Sequence, residues 1–204
     1  MTNLVSRLRA ALSRPLPGLE AQLRMAPSPR LGWDPLKFPE GAANGAALLL
    51  VYPHDDTLHL ALTVRGSGLR NHTGQVSLPG GRVEEGETFE AAALREAQEE
   101  IGLDAKFIEP IGYLDLYLTF SGFRILPLVA RVDPGYRITL NPAEVADAFE
   151  VPLEFVMQPA NHQRHKRDWK GIERQYYAMP FGDRYIWGVT AGILRNLYER
   201  IYAV

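Results

Sequence analysis

The segment from residue 81 to residue 103 constrains this chain more than any other part of it. Residues 88–101 consist largely of strong helix formers, and Gly102 follows them where a helix prefers a left-handed C-terminal cap. An apolar stripe at spacings i, i+4 and i+8 can pack on a core; its members are Ala93, Ala97 and Ile101. The pattern therefore predicts an amphipathic helix that packs on the body of the domain.

Three glutamates occupy a second face of this predicted helix. Glu96, Glu99 and Glu100 are spaced i, i+3 and i+4, which places their side chains together. Crowded carboxylates repel one another, so the arrangement adds nothing to a surface helix. It does suit Mg²⁺, which takes oxygen ligands from carboxylates and from substrate phosphates. The spacing predicts a metal site, whereas Glu84, Glu85 and Glu90 are interpreted as solvated charges.

The complete segment also matches a known signature. It reads glycine, five residues, glutamate, seven residues, then Arg-Glu-x-x-Glu-Glu-x-Gly and a leucine, at Gly81, Glu87, Arg95, Glu96, Glu99, Glu100, Gly102 and Leu103. This resembles the Nudix box of hydrolases that cleave a nucleoside diphosphate linked to another group. The resemblance implies a Nudix-type α/β/α sandwich with a mixed central sheet, and a Mg²⁺ cofactor for which Mn²⁺ can substitute. It also implies that the Gly80 carbonyl is a further metal ligand and that Gly81, Gly102 and a Glu87–Arg95 pair are structural.

A glycine-rich segment with two arginines precedes the box. Residues 62–81 resemble the coenzyme A diphosphatase branch of the Nudix hydrolases, through Leu62, Thr63, Arg65, Arg70, Gly74, Pro79, Gly80 and Gly81. The chain departs from that pattern at Ala61, Gly66 and Leu78. Arg65 and Arg70 carry planar guanidinium groups suited to phosphate oxygens, although each could instead pair with a surface acid. His72 and Gln75 are candidate substrate contacts, with simple solvation as the alternative.

These features predict a reaction. One or more metal ions bridge Glu96, Glu99, Glu100 and the diphosphate, and an activated water attacks phosphorus in line. Glu96 and Glu144 are the candidate general bases. By resemblance, coenzyme A would yield 3′,5′-ADP and 4′-phosphopantetheine. The alternatives are a Nudix hydrolase for ADP-ribose or a dinucleotide, and a Nudix-like module that binds a nucleotide without cleaving it.

Composition excludes several other classes of protein. The chain has 204 residues, 46% of them hydrophobic, a net charge of −2 and no cysteine. Disulfides, thiolate metal sites and cysteine nucleophiles are therefore excluded. No apolar run of 18 or more residues indicates a membrane span, and no secretory leader is recognisable, so a cytoplasmic location is expected. We expect a small-molecule substrate, no nucleic-acid partner, and a monomer or homodimer.

Hydrophobic periodicity predicts the remaining elements. Residues 1–40 are interpreted as a helix and a proline-rich extension that packs on the domain, with the Nudix domain at 41–204. Strands are predicted at 46–52, 58–63, 108–118, 123–132 and 136–140, with a turn at 53–56 and a possible hairpin at 121–122. Asn141 and Pro142 predict a helix start, and the apolar residues Leu194, Leu197 and Ile201 predict a final helix. The basic run 162–167 is interpreted as a solvated loop, with contact to a 3′-phosphate as the alternative.

Overall fold

The computed structural model describes residues 2–28, 41–66, 68, 73–119, 122–169 and 171–202. Its helices are α1 (Thr2–Leu12), α2 (Leu19–Met25), α3 (Phe89–Ile101), α4 (Leu153–Val156) and α5 (Gly188–Tyr202). Its strands are β1 (Ala43–His54), β2 (Thr57–Arg65), β3 (Val76–Ser77), β4 (Gly80–Arg82), β5 (Ile108–Tyr113), β6 (Tyr117–Leu118), β7 (Phe123–Val132), β8 (Val145–Pro152), β9 (Gln163–Trp169), β10 (Ile172–Phe181) and β11 (Arg184–Trp187). Among the described helices, none is both long enough and apolar enough to cross a membrane.

The central strand β1 is buried on both faces, as its continuous apolar run predicts. Leu48 and Leu50 pack against α3, whereas Leu49 and Val51 face a second core on the other side of the sheet. The strand runs parallel to β7 and antiparallel to β2, so the main sheet is mixed. Helices cover both faces. The α/β class and the sandwich of helices around a mixed sheet are therefore confirmed.

β1 and β2 pair only near the turn that joins them. Their register runs from Val51–Leu60 to His54–Thr57, and Asp55 and Asp56 complete the turn with φ of 44° and 62°. Beyond this point the two strands separate. β4 then pairs with the early part of β1, while β3 pairs with the far end of β2. The segment that precedes α3 is thereby inserted between two strands of the sheet.

The other face of the sheet is covered by α1, α2, α5 and a three-stranded antiparallel sheet of β9, β10 and β11. α1 contacts β5 and α5: Arg9 forms a 2.6 Å salt bridge with Glu109, and Arg200 Nη2 donates to the Ala11 carbonyl at 2.7 Å. A separate extension ending at residue 40 stays a prediction, because residues 29–40 lie outside the described part of the chain.

Five sequence predictions are wrong or incomplete. Residues 136–140 form no strand, and Asn141 begins a turn that leads directly into β8 instead of a helix. Residues 108–118 are divided into β5 and β6, and β6 pairs with β7 in the expected hairpin. α2 was missed between two prolines. The basic run lies mostly in β9 and not in a loop.

Candidate active site and metal centre

Both ends of α3 are capped by the residues that the sequence places there. The Thr88 hydroxyl accepts a hydrogen bond from the Ala91 amide at 3.1 Å, which satisfies one of the free donors of the first turn. At the other end Gly102 adopts φ 65° and ψ 17°, and its amide donates to the Gln98 carbonyl at 3.1 Å. A Cβ atom on Gly102 would lie 2.9 Å from the Thr139 carbonyl oxygen, so only glycine fits.

Three carboxylates from two distant segments meet beside this helix. Glu96 and Glu100 point from α3, and Glu144 comes from the turn before β8. One carboxylate oxygen from each lies within 4.8 Å of one from each of the other two. Glu96 and Glu100 are buried, whereas Glu144 is half-buried. The structure thus brings three of the four predicted acidic site residues together.

Backbone hydrogen bonds position Glu144. The Thr139 and Asn141 amides donate to the carbonyls of Ile101 and Glu100, at 2.8 and 3.0 Å. These carbonyls belong to the last turn of α3, where a helix leaves its acceptors unpaired. The Gly66 amide at the end of β2 then donates to the Glu144 carbonyl at 2.7 Å. Sequence reasoning missed this positioning role of residues 139–141, because a backbone contact has no residue-type signal.

Burial controls the charge of the cluster. It raises the pKa of Glu100 from 4.5 to about 7; the nearby Glu96 and Glu144 add to the rise, and the Gly80 amide and Arg65 oppose it. Burial also raises the pKa of Glu96, against the effect of Arg95. Such crowding disfavours ionised carboxylates in the absence of a cation. A bound dication would reverse that balance.

Two glycines allow the chain to approach the cluster closely. A Cβ atom on Gly81 would overlap the Glu96 carboxylate, with Oε2 only 2.7 Å away. On Gly80 it would lie 2.8 Å from the Ala47 Cα atom in β1. The Gly80 amide donates to Glu100 Oε2 at 3.1 Å. Gly80 therefore lies against the cluster.

Glu99 lies outside the three-carboxylate group. Its side chain is 47% exposed and accepts a hydrogen bond from Arg95 Nη1 at 2.9 Å. The same nitrogen donates to Glu96 Oε1 at 2.9 Å, and Arg95 Nη2 donates to the Arg82 carbonyl at 2.9 Å. Arg95 also pairs with Glu87, and this pair lowers the pKa of Glu87. Arg95 thus joins the loop before α3 to the helix.

Arg65 is the predicted phosphate-binding arginine that lies within the described residues, and it lies near the carboxylates. Its charge acts directly on Glu100, and its buried Nε has no hydrogen-bond partner among the described residues. The Gln75 carbonyl accepts from the Arg65 amide at 3.0 Å, so Gln75 lies beside it across the loop. Arg70 and His72 lie outside the described residues.

Comparison with known proteins identifies the family. The family model described as the NUDIX domain matches residues 43–172. The chain belongs to the Nudix family. The uncharacterized Nudix hydrolase NudL of Enterobacter sp. (strain 638) is 33% identical over 157 residues, which cover 76% of this chain and 82% of that protein. Mitochondrial Nudix hydrolase 15 of Arabidopsis thaliana is 37% identical over 172 residues, or 80% of this chain and 60% of that protein.

Solved Nudix structures share the fold. DR0079 from Deinococcus radiodurans has a TM-score of 0.51 at 16% identity, over 76% of this chain and 83% of that chain. A MutT/nudix family protein from Enterococcus faecalis also has a TM-score of 0.51, at 15% identity over 80% of this chain and 63% of that chain. At such low identity the likeness concerns the fold alone.

The plant relatives are longer than the matched region. The chain spans 60% of Nudix hydrolase 15 and 55% of chloroplastic Nudix hydrolase 22 from the same plant. Their names assign those proteins to mitochondria and chloroplasts, so a cytoplasmic location for this chain stays a prediction. The predicted enzyme class agrees with the relatives' names, all of which are Nudix hydrolases.

The donor set of the cluster fits the divalent ion that Nudix hydrolases use. Its side-chain ligands are carboxylates, and two of them, Glu96 and Glu100, have pKa values raised by burial. Hard dications such as Mg²⁺ prefer oxygen ligands of this kind. The repulsion among these carboxylates is the feature that a dication would relieve.

A nearby groove has the wrong charge for a diphosphate. It has a volume of about 790 Å³ and is lined by Asn44 and residues 82–87, including Glu84, Glu85 and Glu87. An acidic lining repels an anionic substrate. The groove is therefore a poor candidate for the binding site of the diphosphate.

Proposed function

We propose that this Nudix domain hydrolyses the diphosphate linkage of coenzyme A, or of a coenzyme A derivative, to 3′,5′-ADP and 4′-phosphopantetheine. One observation supports the hydrolytic part of this proposal. One carboxylate oxygen each from Glu96, Glu100 and Glu144 lies within 4.8 Å of the others, close to the positive charge of Arg65. Carboxylates for a cation beside a guanidinium for an anion form a suitable site for a metal-bound diphosphate.

Glu96, Glu100 and Glu144 would hold Mg²⁺, or Mn²⁺ in its place, and the Gly80 carbonyl is a further proposed ligand. Glu99 would join them by leaving Arg95, a contact whose Glu99 side chain is about half exposed to solvent. When bound, the ion neutralises phosphate charge and makes a water more acidic. The chain's own part is to hold these carboxylates at fixed positions beside the substrate.

The proton of the attacking water goes to Glu144 or Glu96. Glu144 Oε1 accepts from Asn141 Nδ2 at 3.2 Å, which orients the carboxylate. Glu96 is more enclosed, and Arg95 holds one of its oxygens at 2.9 Å. When the residue that accepts the proton is changed to glutamine, the pH profile of kcat/KM should lose its acidic limb.

The coenzyme A part of the proposal rests on the segment before the box. Arg65 ends β2 beside the cluster, and the glycine-rich loop that follows supplies Arg70 and His72, with Gln75 at its far end. Coenzyme A carries a 3′-phosphate in addition to its diphosphate, so it requires more cationic groups than ADP-ribose. Two arginines, Arg65 at the end of β2 and Arg70 in the loop that follows, suit this charge.

Product analysis tests the proposal. Purified protein is incubated with coenzyme A, dephospho-coenzyme A, ADP-ribose or a dinucleotide, with Mg²⁺ or with excess EDTA. Coenzyme A should be the best substrate and EDTA should abolish turnover. Full turnover in EDTA contradicts the metal site. Preference for ADP-ribose or a dinucleotide contradicts the coenzyme A assignment but leaves the hydrolase intact, and binding without cleavage indicates the non-catalytic module.

Variants of the two arginines test the coenzyme A assignment more directly. Arg65→Ala and Arg70→Ala should each cost about 2–4 kcal/mol in kcat/KM toward coenzyme A, as expected for truncating a desolvated charge contact. If either arginine contacts the 3′-phosphate, its loss should matter less for dephospho-coenzyme A. Arg131→Ala on the exposed surface of β7 is the control. Two dispensable arginines would refute the assigned phosphate contacts.

A further inference from the structure

A second cluster of ligand-type side chains lies at the opposite end of β2 from the carboxylates. His54 ends β1, His59 lies early in β2, and Glu150 lies in the neighbouring strand β8. One ligand atom from each lies within 4.8 Å of the other two. Arg65 follows His59 by six residues on β2, which is about 20 Å of extended strand. The two clusters are therefore separate sites.

Strand pairing holds these three side chains in place. His59 lies opposite Tyr52 on β1 and opposite Pro152 on β8, so His54 and Glu150 are each two residues along their strands from the residue opposite His59. Diagonal neighbours on one sheet face are within reach of long side chains. The imidazole centroids of His54 and His59 are 5.3 Å apart. The cluster thus lies on the main sheet and not on a loop.

The remaining polar atoms around the cluster could orient its ligands. His54 Nδ1 contacts Glu150 Oε2 directly, while His54 Nε2 lies 3.7 Å from Asp55 Oδ2. His59 Nδ1 lies 3.4 Å from the Thr57 hydroxyl. Histidine metal ligands commonly use one ring nitrogen for the ion and the other for a polar partner. His59 has such a partner in Thr57, and the Asp55 carboxylate lies close to the second nitrogen of His54.

Tyr52 lies beside the cluster and belongs to its polar surroundings. Its side chain is only 1% exposed. Burial raises the pKa of Tyr52, and the Glu150 carboxylate adds to the rise through its charge and a hydrogen bond. The Tyr52 and His59 ring centroids are 6.4 Å apart. Tyr52 therefore contacts two of the three candidate ligands, His59 and Glu150.

We propose that His54, His59 and Glu150 form a second metal site that binds a transition-metal dication, with Zn²⁺ as the best match. Two imidazoles and one carboxylate are a common zinc ligand set, and three protein ligands leave an open position. Mg²⁺ prefers oxygen ligands alone, so the two sites differ in ligand chemistry. An ion here would join β1, β2 and β8 at the end of the sheet remote from Glu144.

Metal titration of the intact protein tests this site. Protein freed of metal is titrated with Zn²⁺ in the presence of millimolar Mg²⁺, which occupies the carboxylate cluster. Wild type should bind Zn²⁺ and show a higher Tm with it. His54→Gln and His59→Gln should each weaken Zn²⁺ binding by more than about tenfold and abolish the Tm increase. Absorption bands of bound Co²⁺ should disappear in the same variants.

Two controls separate this site from other zinc binding. His165→Gln removes a histidine from the exposed face of β9 and should bind Zn²⁺ like wild type. Glu100→Gln alters the carboxylate cluster and should also keep the Zn²⁺ response. Unchanged affinity in both His54→Gln and His59→Gln, or no Zn²⁺ binding by wild type, overturns the proposal. Because the readout is binding and Tm, the result does not depend on the coenzyme A assignment.

Discussion

Arg95 donates two hydrogen bonds to Glu87, from Nε to Oε1 at 3.0 Å and from Nη2 to Oε2 at 3.1 Å. Two parallel bonds fix both position and orientation, which a single charge contact does not. The third nitrogen contacts Glu96 and Glu99, so one guanidinium joins the loop before α3 to two acidic side chains of the proposed site.

Arg95→Lys should therefore lower kcat/KM by about tenfold or more while the protein stays folded, because one ammonium group cannot replace the five directed hydrogen bonds of the guanidinium. Steady-state kinetics measures the loss of kcat/KM, and circular dichroism shows whether the variant is folded. Arg131→Lys is the matched control, since Arg131 pairs with Glu109 and Asp133 on the exposed surface. Equal losses in both variants would show that the Arg95 geometry has no special importance.

Glu100→Gln should lower kcat by a factor on the order of 10²–10⁴, because a neutral amide cannot hold the cation. Glu90→Gln in the same helix should be nearly neutral. Glu90 accepts a hydrogen bond from the Tyr113 hydroxyl at 3.3 Å, and a glutamine oxygen can accept the same bond. Similar losses at both positions would mean that the face of α3 has been assigned incorrectly.

Metal-free protein should lose stability as pH rises. The pKa of Glu100 is about 7 in the folded protein against an ordinary value of 4.5, so protonation favours folding. This contribution is complete below the ordinary pKa and is lost as pH rises through about 7. In EDTA, Tm should therefore fall less between about pH 5 and about pH 8 for Glu100→Gln than for wild type. Parallel Tm curves for the two proteins would contradict the assignment.

Gly81→Ala should reduce activity more than stability. The added methyl group would displace the Glu96 carboxylate, which can move only by leaving the cluster. Gly86→Ala is the opposite case: Gly86 has φ of 79° and open space around its Cβ position, so the substitution strains the backbone without reaching Glu96. It should cost about 1 kcal/mol of stability and leave kcat unchanged. Thermal unfolding and kinetics on both variants distinguish the two effects.

Local sequence patterns correctly predicted the elements that are determined by contacts between residues close together in the sequence. Thr88 and Gly102 cap α3 through bonds within the helix, and β1 shows its burial on two faces in one apolar run. The wrong predictions lie where strand pairing between residues far apart in the sequence determines the local structure. Asn141 does accept from the Ala143 amide at 3.1 Å, as at a helix start, yet seven pairings with β2 draw the following residues into β8.

The candidate site, like the fold, was predictable from the sequence only where a local pattern determines it. Glu96 and Glu100 follow from helical spacing, since i and i+4 share a face. Spacing also grouped Glu99 with them, but the neighbouring Arg95 holds it at the solvent side. The meeting of Glu144 with α3 depends on the order of strands in the sheet, which no local pattern contains. The resemblance to the family suggested Glu144, whereas its position depends on Thr139 and Asn141.

The backbone hydrogen bonds that position Glu144 determine which substitutions this segment can tolerate. The Thr139 and Asn141 amides bond to helix carbonyls, and every amino acid except proline supplies such an amide. The exposed side chains at positions 138 and 139 could therefore be exchanged without moving the carboxylate, whereas Leu140 packs against the core. Proline at position 139 or 141, or a one-residue deletion between them, would shift Glu144 at once. The segment should tolerate many substitutions and very few changes of length.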